Sequence, residues 1–143
     1  MKTILTIFIS LSSLLFFWGW LIIVPYTVYT EKDIFKYYTL TYKEIRDAPR
    51  LSKNYYFSYG PSDEANPQIS TIYLCDLDNI NEAYDKLLGY VNSTGIPLID
   101  DFSLGNYPSF DEYFQIIKTK EQDRVTMKEI ECLMLDLSKE NVN

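Results

Sequence analysis

Histidine is absent from the 143 residues, and only two cysteines and five glycines occur. Without histidine there is no Ser-His-Asp or Cys-His catalytic arrangement and no histidine-ligated zinc. Two cysteines are too few for an all-cysteine zinc site. The glycines form neither G-x-G-x-x-G nor G-x-x-x-x-G-K-[ST], so neither phosphate cradle is present. Positive charge is also scarce, with 13 Lys and Arg against 20 Asp and Glu and a net charge of −7. Nucleic acid is therefore not an expected partner, because phosphate binding needs a basic footprint.

Charge of either sign is missing from residues 4–24, which read ILTIFISLSSLLFFWGWLIIV. A helix of that length would reach roughly 30 Å, the thickness of a bilayer's hydrocarbon core. Trp18, Trp20, Tyr26 and Tyr29 crowd its far end, where amphipathic rings suit a headgroup layer. The run exceeds the apolar region of a cleaved signal, and Val28 and Thr30 are a poor cleavage pair, so retention is expected. The expectation is a single-pass signal anchor in a bacterial inner (plasma) membrane, with the bilayer as one partner through residues 4–24. Lys2 favours a cytoplasmic start and an extracytoplasmic carboxy-terminal domain, although Lys32, Lys36 and Lys43 pull the other way. The expected organisation is a tail and anchor over residues 1–30, then an acidic globular domain over residues 31–143.

That domain has the aromatic content of a folded chain and no repeat or low-complexity linker. Side chains that can cap a helix start, each with Glu three residues on, occur at Asn79 with Glu82, Ser109 with Glu112 and Thr126 with Glu129. After Thr126, the spacing of Ile130, Leu133, Met134 and Leu137 predicts a helix with one apolar face. Ala83, Tyr84, Leu87, Leu88 and Val91 do the same after Asn79. An earlier helix is expected over residues 31–42, with Ile34, Tyr37, Tyr38 and Tyr42 on one side. Residues 54–59 and 69–77 read as strands joined by a long loop with two prolines, and residues 96–99 as a short third strand. Tyr55, Phe57 and Tyr59 should share one face of the first strand, with Tyr56 on the other. The expected class is α+β, with a mainly antiparallel sheet covered by helices and a strand-helix-strand unit through residues 69–99 that could make one pair parallel.

Cys75 falls in an expected strand and Cys132 in the expected final helix. A disulfide between them would tie the carboxy-terminal element to the sheet, and two buried thiols are the alternative. From Pro61 to Glu112 there are ten acidic residues against one base, Lys86, whereas residues 31–60 carry six bases and four acids. Such an acidic stretch suits docking of a basic protein partner.

The nearest approach to a catalytic motif is YLCDLDN at residues 73–79, an apolar strand ending in D-x-D. It resembles the first motif of the haloacid-dehalogenase-like phosphatases. The resemblance implies a nucleophile at Asp76, an acid/base at Asp78 and a Mg²⁺ ion beside both, with Asp100 and Asp101 similar to the family's later acidic pair. The chain departs from that family at Ile80, where Thr or Val is usual, and too little chain follows Asp78 for a doubly wound sheet. Read locally, Asp78 and Asn79 begin a helix. Asp76, Asp78, Asp100 and Asp101 are thus the candidate acidic interaction surface, with no catalytic residue and no cofactor assigned. Protein binding, of the inhibitor, immunity or accessory-subunit type, is the expected function. A carboxylate- and divalent-metal-dependent hydrolase is the alternative, and a structural membrane subunit a further one.

Overall fold

A computed structural model describes residues 9, 11–13, 15–17, 19, 25–62, 67–99, 111–122 and 128–140. The aromatic run NYYFSYG forms strand β2 (Asn54–Gly60), which turns back antiparallel into β3 (Gln68–Cys75). Beyond β3 lie β5 (Glu129–Lys139) and then β4 (Glu112–Gln122), while β1 (Thr27–Tyr29) pairs with the other side of β2. The order β1-β2-β3-β5-β4 makes a five-stranded sheet, and all four pairings are antiparallel. The sheet begins at Thr27, ahead of residue 31 where the sequence reading starts the globular domain.

Strand alternation decides what each face holds. Phe57, Ile72 and Leu135 lie opposite one another across three strands, and none is accessible to solvent. Leu74 with Leu133, and Leu137 with Phe114, extend that face. Against it pack helices α1 (Ile34–Leu40), α2 (Lys43–Arg46) and α3 (Ile80–Thr94), through Leu40, Ile45, Ala83, Leu87 and Val91. Burying a large apolar side chain stabilises the fold by roughly 1.5–3 kcal/mol, so this row anchors the sheet. Tyr55 and Tyr59 pack around Phe57 on this face, as alternation predicts, while Tyr56 stacks on Tyr73 on the other at 4.5 Å.

α3 starts as its sequence indicates. Asn79 is the N-cap, its side chain accepting from the backbone N–H groups of Asn81 and Glu82, and Gly95 ends the helix at φ 78°. The helix expected over residues 31–42 breaks in two, because Thr41 is extended and held by the Tyr29 hydroxyl (2.9 Å) and by Arg46, which donates to its carbonyl (2.7 Å). Ile34 and Tyr38, expected on a packed side, are exposed.

Several expectations need correction. The capping patterns at Ser109–Glu112 and Thr126–Glu129 do not open helices: Glu112 starts β4, Glu129 starts β5, and Cys132 is in a strand. Both faces of β5 are buried, so its apolar residues fall at helical as well as strand spacing. Residues 96–99 form no strand beside β3. Leu98 instead makes a single parallel bridge to Phe114 of β4. The single-pass reading of residues 4–24 is also corrected. A span needs about 20 consecutive apolar helical residues, and among the described residues no helix is long and apolar enough to cross a membrane. The described positions between Ile9 and Gly19 are helical, with Ser13 donating back to the Ile9 carbonyl, and the rest of residues 4–24 lies outside the described residues. The inner-membrane location and signal-anchor assignment fall with that reading.

Candidate functional site

Where β3 ends and β2 begins, a groove of about 580 Å³ opens between Arg50, Leu51, Ser52, Lys53, Asn54, Asp76 and Asp78. Its floor is set by the sheet. Asn54 pairs in register with Cys75, and the Ser52 hydroxyl donates to the Cys75 carbonyl while accepting from the Asn54 N–H at 2.9 Å. Cys75 and Cys132 face each other across β3 and β5 and are joined by a disulfide, both side chains being buried. The bridge closes a span of 57 residues, which stabilises by roughly 4 kcal/mol in the entropic model. It also fixes the strand end that carries the acidic residues.

Immediately after Cys75 the chain leaves the sheet. Asp76 has φ 55°, in the left-handed region that Asp tolerates better than most residues. That turn sends Leu77 toward the core and leaves Asp76 and Asp78 exposed on the groove. Asn79, two residues beyond Leu77, takes the capping role, so Asp78 is spared it.

The cations of the groove are not equivalent. Arg50 is committed to the protein: its guanidinium donates twice to Glu31 (3.1 and 3.0 Å), to the Tyr37 hydroxyl and to the carbonyls of Arg46 and Ala48. It also lies over the Tyr55 and Phe57 rings, and Tyr55 donates to the second Glu31 oxygen at 2.9 Å. Desolvation raises the Glu31 pKa, but the bonds from Arg50 and Tyr55 outweigh it and hold the carboxyl below its ordinary value. No ion pair joins Asp76, Asp78 or Lys53 to another residue among the described residues. Among the described residues, the groove therefore presents two carboxylates and one ammonium without an ion-pair partner.

Asp100 and Asp101, the other half of the acidic surface read from the sequence, lie outside the described residues. Among the described residues no three His, Cys, Asp or Glu side chains converge as a metal site. Asp76 also follows a strand of an antiparallel sheet, not the parallel doubly wound sheet that the D-x-D resemblance implies.

Sequence reasoning missed Arg50 and Lys53, which come to the groove through long-range pairing that no local pattern announces. It also missed Asp136, a carboxylate that is 7% exposed on β5 and accepts from the Thr71 hydroxyl at 2.5 Å. One acidic residue among Leu133, Leu135 and Leu137 was the available signal. Comparison of the chain with protein-family models, curated proteins and solved structures finds no match.

Proposed function

We propose that this domain is a protein-binding module, of the inhibitor, immunity or accessory-subunit type, whose groove at the β2–β3 end receives a basic segment of another protein. The observation that carries the reading is the pair Asp76 and Asp78, exposed on the groove walls without an ion pair among the described residues while the neighbouring Arg50 is consumed by Glu31. Carboxylates already hydrated and unpaired lose little internal bonding when a cation docks, and their attraction raises the rate of encounter. The acidic balance from Pro61 to Glu112 adds to that steering.

Photo-crosslinking tests the proposal in the source cells. A photoreactive residue at Asn54, on the groove rim, should capture a discrete protein partner through a basic segment. Capture should fall about tenfold or more in Asp76→Lys/Asp78→Lys, corresponding to about 1.4 kcal/mol. A crosslinking pattern unchanged by that reversal would contradict the assignment to this groove.

A further inference from the structure

The outer edge of β4 offers a second surface, distinct from the groove. Phe114 donates its N–H to the Pro97 carbonyl at 2.8 Å and accepts from the Ile99 N–H at 2.9 Å, so its backbone polar groups point away from β5. Hydrogen-bonding direction alternates along an antiparallel strand, so the N–H and C=O groups of Ile116, Lys118 and Lys120 point the same way. Among the described residues these three have no backbone partner on that side. Ile117, Lys118 and Lys120 are exposed, and neither proline nor glycine interrupts the strand. The chain's own residues 97–99 already lie beside the start of β4 through a single parallel bridge, so backbone pairing on this edge is sterically open there.

Charge determines what kind of strand fits. Lys118 and Lys120 lie on the helix-covered side of the sheet, near the start of α3. Lys118 donates to Asn81 at 2.8 Å and sits over the Tyr84 ring, and Lys120 is 3.7 Å from Glu129. A second copy pairing antiparallel through the middle of this edge would set Lys118 against Lys120, or one of the two lysines against its own copy. Like charges directly opposite one another are destabilising in a sheet. Carboxylates at alternate positions of an incoming strand would face both lysines instead.

We propose that the β4 edge from Ile116 to Lys120 binds an extended acidic segment of a partner protein by strand addition. Backbone bonds to Ile116, Lys118 and Lys120 supply the pairing, and the two lysines select carboxylates on one face of the added strand. Ile117, on the opposite face, meets an apolar residue of the same strand.

Amide hydrogen exchange on the full chain tests this, with a short blocked peptide alternating glutamate and valine as the probe. Protection at Ile116, Lys118 and Lys120 should rise about tenfold or more at saturating peptide, and less as salt is added. The variant Lys118→Glu/Lys120→Glu should lose that response and gain one to a peptide alternating lysine and valine. Such a reversal of preference also shows that the variant is folded. No change at the three amides, or equal protection by both peptides on the unaltered chain, would overturn the proposal. Protection that rises with protein concentration alone would overturn it too, assigning the edge to a second copy.

Discussion

Asp136 sits in register between Thr71 of β3 and Gln115 of β4, on the sheet face that the three helices do not cover. Desolvation pushes its carboxyl up to about 6, against the weaker opposing effect of the Thr71 hydrogen bond. The folded state therefore binds a proton more tightly than the unfolded chain, whose carboxyl titrates near 3.8. Folding stability should fall as pH rises from about 4 through about 6 and then level off. The ionised carboxylate costs on the order of 2–3 kcal/mol at neutral pH. Asp136→Asn keeps an acceptor for Thr71 and removes the charge. Urea unfolding across pH should show the variant more stable above pH ~6 and lacking this slope. A slope unchanged by the substitution would refute the assignment. Glu31 acts with the opposite sign. Its carboxyl is held below the ordinary value, so its contribution is present above the unfolded pKa and lost on acidification. Glu31→Gln should flatten the acid limb slightly, because a side chain 39% exposed gains little from its ion pair.

At the scale of elements, legibility depended on burial. α3 was readable because its N-cap, its apolar spacing and Gly95 all agree, and β2 and β3 because aromatic and β-branched residues alternate between turn-forming segments. β4 and β5 were misread as helices. Leu133, Leu135 and Leu137 face the helices while Cys132, Asp136 and Ser138 are buried on the other side. A strand buried on both faces loses the two-residue alternation that would mark it. The run Tyr113, Phe114, Ile116 and Ile117 was the better guide, since such types favour strands. Two measurements separate these elements. Asn79→Ala should cost about 1 kcal/mol by leaving helix N–H groups without an acceptor, whereas Asn79→Asp should cost little. Replacing both Cys75 and Cys132 with Ser should cost about 4 kcal/mol in chemical unfolding. Near-neutral stability after that replacement would show that the bridge does not constrain the unfolded chain.

For the whole molecule, the sequence revealed the charge asymmetry but not where the fold would place it. Asp76 and Asp78 were visible as a D-x-D pair, yet the bond that commits the neighbouring Arg50 to Glu31 joins residues 19 apart in the chain. That relation arises only once β1 and β2 are side by side. The same assembly leaves Lys118 and Lys120 on the far edge strand, with β5 lying between that strand and β3. The central claim is that the groove, and not acidic surface in general, recognises a basic segment. Its most direct test is a titration of the isotopically labelled full chain with a short blocked lysine-rich peptide, followed by NMR. The account predicts shift changes concentrated at Ser52, Lys53, Asn54, Asp76 and Asp78, and lost in Asp76→Asn/Asp78→Asn. Shifts spread equally over Glu82, Asp85 and the other exposed carboxylates, and unaffected by that variant, would contradict it.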